Sequence, residues 1–431
     1  MTQTGEQLTT FSSGERVITE RLDRVRSVAI GFWIGTGSRD EQAGRAGVTH
    51  FLEHLLFRGT RSYSALEIAE VFDGIGGELN AMTGREYTVV VARVLDDHLE
   101  TAVDVMAEMV YAPTLAELDA EREVVLEEIA MVEDAPHDLV HDLFGVAVFG
   151  EHELGRPVLG SADVISSVSR RSLRAYHRSR YASPRIVVAA AGSVDHDRFA
   201  GLVASRIAET ASGSSRNGRA LLASSPQPSL VFNRKSTEQY HVCVGGTGLA
   251  RADERRFAAS VLDGILGGSP SSRLFQEIRE RRGLAYSVYT FASMYQETGE
   301  VGVYVGTREE HVGTCLGIIA EQIGDLAQGG VGEAELRRAK ENLKGRIMLS
   351  LESTSNRVTR LGKSLITDME LLTPEEVIAR VDAVSADQVA ALAAELLAPE
   401  RLAVAGIGPS VRVIRAAARR VNPALGRERA A

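Results

Sequence analysis

Residues 76–95 read GGELNAMTGREYTVVVARVL, two strand-like stretches joined at Thr83-Gly84-Arg85. Upstream, ERVITERL (15–22) and SVAIGFWIGTG (27–37) carry the same strand pattern, and downstream RIVVAAAGSV (185–194) reads as a short buried strand. Helical stretches lie between them. One runs from about Gly44 to Phe57 and stops at Gly59; another runs from about Leu99 to Met131 with a break near Pro113.

The whole pattern then recurs. HVCVGGTG (241–248) echoes 27–37, and GLAYSVYTF (283–291) with GEVGVYVGTR (299–308) echoes 76–95. AELRRAKENLKGRI (334–347) echoes AELDAEREVVLEEI (116–129), and RLAVAGIGP (401–409) echoes 185–194. The offset is roughly 215 residues, which means two related domains and not a solenoid. Each half mixes antiparallel-type strands with segregated helices. The expected fold is therefore α+β, two homologous domains from an internal duplication, each a mainly antiparallel sheet with helices on one side. ETASGSSRNGRALLASSPQPS (209–229) is small, polar and proline-bearing. It divides the chain into a metal-binding domain over 1–210, a linker over 211–229 and a non-metal domain over 230–431.

The composition fits two packed domains: 44% hydrophobic and 25% charged residues over 431 positions suffice for large cores. A net charge of −10 argues against a nucleic-acid partner, whose phosphates it would repel, and none is expected. No apolar run reaches the ~20 residues that cross a bilayer, and MTQTGEQLTTFSSGERV lacks the basic start and apolar core of a secretory signal. Cys243 and Cys315 form no C-x-x-C pair. The expected location is the cytoplasm, with no membrane partner.

The two halves differ at THFLEHLLFRGT (49–60), and again in the acidic helix Glu121–Glu128, which corresponds to Ala339–Arg346 with Arg346 opposite Glu128. His50 and His54 stand four residues apart, one above the other on a helix face, where two imidazoles converge on one metal. Glu53 borders that face without taking a ligand position. A carboxylate there accepts a proton from a zinc-bound water and returns it to a leaving amine. The alternative is a pair of histidines packed in a core. The matching stretch of the second half is read as LGGSPSSRLFQ (266–276), which holds no ligand set.

A catalytic zinc needs a third protein ligand and an open fourth position. ELDAEREVVLEEIA (117–130) is the source: Glu121 and Glu128, seven apart, share a face with Val124 and Val125 between them. Buried carboxylates there call for a cation. Glu128 is the expected ligand, Glu127 the alternative, and Glu121 the neighbour that orients a ligand or water. A competing pair, His137 and His141 with Asp138 after the first, lies in what otherwise reads as an ordinary amphipathic helix. Asp is one methylene shorter than Glu and reaches less far as a base.

With His50-Phe-Leu-Glu53-His54, Glu121 through Glu128, GGELNAMTGREYT (76–88) and SSRLFQEIRERRGLAYSV (271–288) in this order, the chain resembles the insulinase/pitrilysin family of inverted-motif zinc peptidases. The likeness runs from about residue 15 to 410 and is nearest the processing-peptidase branch of bacterial type. It implies one zinc per chain on His50, His54 and Glu128, with Glu53 as general base in an endopeptidase acting on extended peptides or unfolded protein. It also implies that Leu79, Asn80 and Ala81 pair with the substrate main chain, and that Tyr286 and Arg279 grip the oxyanion and a substrate carbonyl. Longer members close four such domains around one chamber in a single chain, which implies a homodimer here, or a heterodimer with a related subunit. A non-catalytic scaffold or peptide-binding subunit of the same fold is the competing function.

Overall fold

The computed structural model describes residues 5–207 and 227–426. Most of the linker expected at 211–229 lies outside the described residues. The chain forms two compact units. One gathers the chain up to Ile129, the stretch beginning at Pro157, and Met348–Thr373; the other gathers Ala130–Arg156, the stretch ending at Ile347, and the chain from Pro374. Each half of the sequence thus gives one segment to the unit built by the other.

The first unit holds a six-stranded sheet of β1 (Glu6–Thr10), β2 (Arg16–Arg21), β3 (Ser27–Ile34), β4 (Glu78–Thr83), β5 (Thr88–Leu95) and β6 (Ile186–Gly192). Its order is β1-β2-β6-β3-β5-β4, antiparallel throughout except for β2 beside β6. Strand β1 has no counterpart in the sequence reading. It is a largely exposed edge, so no buried face imposes an apolar alternation on it. The helices are α1 (Val48–Leu56), α2 (Ala65–Gly74), α3 (Leu99–Tyr111), α4 (Leu118–Asp134), α6 (Ala162–Ser167), α7 (Arg170–Arg180), α8 (His196–Arg206) and α12 (Thr354–Ile366).

The two-residue period of a strand sorts β3 between two cores. Val28, Ile30, Phe32 and Ile34 enter the larger one with Phe51, Leu52 and Leu55 of α1 and Val103, Met106 and Val110 of α3. Ala29 and Trp33 enter a second, on the other face, with Val358, Leu361 and Ile366 of α12. Helix α12 comes from the second half of the sequence. It is fastened by ion pairs from Arg357 to Glu20 and from Arg360 to Glu6 and Glu20.

The second unit repeats the plan. Strands β7 (Leu230–Arg234), β8 (Tyr240–Gly248), β9 (Ala285–Met294), β10 (Gly299–Thr307) and β11 (Ala403–Gly408) run in the order β7-β11-β8-β10-β9, with β7 and β11 parallel. Strand for strand this is β2-β6-β3-β5-β4 of the first sheet. Its helices are α5 (Pro136–Phe149), α9 (Arg256–Leu266), α10 (Val312–Ala327), α11 (Glu333–Ser350), α13 (Pro374–Asp382), α14 (Ala386–Leu396) and α15 (Val411–Val421). One face carries a core of Val242, Val244, Val303, Val305 and Val404 with α9, α10, α14 and α15. The other packs Cys243, Tyr304, Ala405 and Ile407 against Val140, Phe144, Ala147 and Val148 of α5, a helix from the first half of the sequence. The duplicated fold therefore has most helices on one face of each sheet and a single exchanged helix on the other.

The strand order corrects one equivalence. The helix that follows β8, in the place that α1 holds after β3, is α9 at Arg256–Leu266, and LGGSPSSRLFQ leads from its end into a π-helical turn at Phe275–Glu280. Matching the buried pairs Phe51-Leu52 and Leu55-Leu56 of α1 with Val261-Leu262 and Ile265-Leu266 of α9 sets Glu53 opposite Asp263, and His50 and His54 opposite Ser260 and Gly264. The histidines and their counterparts were displaced in the sequence comparison because the loops between strand and helix differ in length.

Candidate metal centre

Helix α1 begins at Val48, later than the sequence pattern places it, because Gly47 caps it in the left-handed region at φ 95°. A side chain there would strike Leu159 O, 2.3 Å from an added Cβ. Val48, Phe51, Leu52 and Leu55 bury one face of the helix. That burial turns His50, Glu53 and His54 toward β4 and α4. The two imidazole centroids are 4.6 Å apart at 66°.

Helix α4 closes the site from the other side. His54 Nε2 lies 3.3 Å and His50 Nε2 3.6 Å from Glu128 Oε2. Among the described residues, His50, His54 and Glu128 form the group of three histidine, cysteine or acidic side chains whose ligand atoms converge within 4.8 Å. A tetrahedral zinc with ligands about 2.0–2.1 Å away has edges of about 3.3–3.4 Å, close to the two separations from Glu128. The imidazoles fit it too. His50 Nδ1 is buried without a hydrogen-bond partner, and burial, with His54 second, lowers the ring's pKa to about 4. A neutral imidazole facing a carboxylate gains little by itself and much from a shared cation.

His54 Nδ1 donates to Glu121 Oε1 at 2.8 Å, which leaves Nε2 as the free donor atom. Glu121 is 2% exposed, as the sequence reading requires. Glu128 is not buried in this sense: its side chain is 39% exposed, and Val124, expected inside, is exposed while Val125 is fully buried. The 17-residue helix α4 buries only Leu118, Glu121, Val125 and Ile129, a narrow stripe that leaves Val124 outside it. Glu127 is exposed and is not one of the three converging side chains.

Glu53 is 8% exposed. Burial pushes its carboxyl above the usual range, opposed first by a hydrogen bond from Thr83 Oγ1. Thr83 was not anticipated as a site residue. Its signal was strand parity: Leu79, Ala81 and Thr83 alternate onto the half-buried side of β4. Leu79, Asn80 and Ala81 lie together on β4, an edge strand paired only with β5. Asn80 Oδ1 accepts from the Ala81 N–H at 2.8 Å.

Arg279 and Tyr286 belong to the second unit and pair with each other. The guanidinium of Arg279 sits 4.3 Å from the Tyr286 ring and 4.7 Å from the Phe275 ring, and Tyr286 is 77% exposed. The competing pair His137 and His141 is also in the second unit, where both rings meet Tyr289 Oη, at 3.3 and 3.0 Å. Asp138 turns to His137 Nδ1 at 3.2 Å. Cys243 and Cys315 are buried and unpaired with each other.

Comparison with known proteins matches residues 16–162 to the model of the insulinase family (peptidase family M16) and residues 167–343 to that of the peptidase M16 inactive domain. An uncharacterized zinc protease of Streptomyces coelicolor is 43% identical over 413 residues, covering 93% of this chain and 89% of the relative. The uncharacterized zinc protease YmxG of Bacillus subtilis is 43% identical over 406 residues, covering 93% of this chain and 98% of YmxG. Among solved structures, a protease from Helicobacter pylori superposes with a TM-score of 0.87 at 20% identity, over 94% of this chain and 99% of that one. A peptidase M16 inactive domain from Pseudomonas fluorescens gives 0.84 at 24%, over 94% and 98%. Among the described residues no helix is long and apolar enough to cross a membrane.

Proposed function

The chain belongs to the insulinase family of peptidases, family M16, and from that premise we propose that it is a zinc-dependent endopeptidase of the processing-peptidase type. It hydrolyses peptide bonds in extended peptides or unfolded protein in the cytoplasm. The observation that carries this reading is the convergence of His50, His54 and Glu128 within 4.8 Å of one another with Glu53 beside them. One zinc per chain, held by those three residues, would supply a Lewis acid and lower the pKa of water toward neutrality.

Everything else falls to the side chains. Glu53, buried and with its carboxyl pushed upward, takes the proton of the attacking water and returns it to the leaving amine. The exposed edge of β4 at Leu79–Ala81 receives the substrate as an added strand, its main chain held by backbone bonds. The Ala81 N–H exchanges its bond to Asn80 for one to the substrate. Arg279, whose guanidinium lies against the Phe275 and Tyr286 rings and whose Nε faces Glu280 at 3.5 Å, holds a substrate carbonyl, and the exposed Tyr286 phenol donates to the oxyanion. These two are supplied by the partner copy in a homodimer. A scaffold role has no use for a carboxylate beside two metal-spaced imidazoles, which favours the enzyme.

The test is metal content set against turnover. Wild-type protein should hold about one zinc, His50→Ala should lose it, and Glu53→Gln should keep it while peptide hydrolysis falls at least about 100-fold. Wild-type turnover in Glu53→Gln would refute the assignment.

A further inference from the structure

His50, His54 and Arg58 follow one another at four-residue steps, so they form a single stripe along α1 and the turn that ends it. Glu128, Glu121 and Glu117 form the facing stripe on α4 and the turn before it. The contacts run in order. His50 and His54 face Glu128; His54 also bonds Glu121; Arg58 makes an ion pair through Nε with the second oxygen of Glu121, and its Nη1 lies 3.9 Å from Glu117 Oε2.

The end of α1 aims the arginine. The Arg58 N–H still bonds Leu55 O at 3.2 Å, while Gly59 turns the chain at φ 104°, where an added Cβ would press on Tyr63 O at 3.2 Å. Arg58 is therefore left on the helix face that meets α4.

We propose that Arg58 is a positioning residue for the metal centre: by holding Glu121 it fixes the His54 ring with hydrogen on Nδ1 and a free lone pair on Nε2, in the metal-free protein as well. A neutral imidazole carries one ring hydrogen, and the partner of one nitrogen decides what the other offers. A carboxylate only accepts, and Glu121 is hydrogen-bonded to Nδ1 at 2.8 Å while Glu128 stands 3.3 Å from Nε2 without a hydrogen bond, so Glu121 has the stronger demand and draws the hydrogen to Nδ1. That demand holds only while the carboxylate stays in place. With 2% of Glu121 exposed, an imidazole N–H alone is poor compensation for a buried charge. Arg58 supplies the rest and ties down the oxygen that His54 does not use. The inference rests on the zinc reading for the role of Nε2, but the state of the His54 ring is independent of it.

The experiment has two arms. In metal-free protein labelled with nitrogen-15 at histidine, His54 (assigned with His54→Asn) should show the Nδ1–H tautomer, and Arg58→Met should shift it toward Nε2–H. Chelator competition should then show zinc binding weakened about 10–100-fold in Arg58→Met. The double variant Arg58→Met/Glu121→Ala should be no weaker than Glu121→Ala alone, since both act along one route. Losses that multiply, or an unchanged tautomer with wild-type zinc affinity, overturn the proposal. Arg58→Gln, which keeps a donor without the charge, takes the place of Arg58→Met if that variant does not fold, with the same deciding outcomes. If wild-type zinc uptake proves indifferent to His50→Ala, the zinc reading fails, and the tautomer arm still decides the role of Arg58.

Discussion

The Thr83 hydroxyl donates to Glu53 Oε2, tying the last residue of an edge strand to the carboxylate beside two converging imidazoles. Burial raises the Glu53 carboxyl and this bond is the largest opposing cause. Thr83→Val leaves one oxygen of a buried carboxylate unpaired. We expect kcat/KM to fall about tenfold, the equivalent of about 1.4 kcal/mol. The acidic limb of the pH profile should move upward, because a base whose pKa rises loses its proton at higher pH. Zinc content should stay at the wild-type level. An unmoved acidic limb with full turnover would remove Thr83 from the site.

Asp263 stands where the first unit has Glu53, on a helix that carries Ser260 and Gly264 at the places of His50 and His54. Its Oδ1 accepts from Thr290 Oγ1 at 2.5 Å. Burial raises its carboxyl, opposed by Thr290 and by the charge of Arg346, the residue that aligns with Glu128. A group whose folded pKa is raised contributes stability below its unfolded pKa, about 3.9, and that contribution is lost as pH rises through the folded value. Asp263→Asn keeps an acceptor for Thr290 without the charge. Its Tm should match wild type near pH 4 and exceed it at neutral pH. A Tm deficit that widens as pH rises would contradict this.

Gly362 of α12 lies against the ring of Trp33, and a Cβ built on it would fall 1.9 Å from Trp33 Nε1. Gly362→Val should overpack this contact and cost about 1–3 kcal/mol. Trp33 is the one tryptophan of the chain, so its fluorescence reports the docking of α12 directly. We expect a lower Tm and red-shifted Trp33 emission before global unfolding. Unchanged emission and Tm would mean that α12 is not seated on Trp33.

That helix also shows where sequence reading stops. The duplication was legible because strand order, turn chemistry and apolar alternation are local, and they repeat in both halves. His50, Glu53 and His54 were legible because helical spacing fixes a shared face. The exchange of α5 and α12 was not, because an amphipathic helix announces that it has a buried side but not which sheet covers it. Thr83 escaped for a related reason: a threonine at a strand end is ordinary until the fold brings α1 against it. Glu128, which converges with the two histidines, was singled out by its seven-residue spacing from Glu121, although the burial invoked for it belongs to Glu121 alone.

The last prediction concerns assembly. The first unit holds the three converging donors and Glu53, whereas Arg279 and the exposed Tyr286 are carried by the second. If two copies combine so that each lends this pair to the other, damage on different chains is separable. Chains carrying Glu53→Gln and Tyr286→Phe, given different tags and co-expressed, are purified as the mixed dimer. One site then combines both lesions, and the other combines a wild-type Glu53 with a wild-type Tyr286, so about half of wild-type peptidase activity should return. If each chain completes its own site, both sites of the mixed dimer stay damaged, and its activity is no more than the mean of the two single variants. A chain that is monomeric and fully active at high dilution would also exclude sharing.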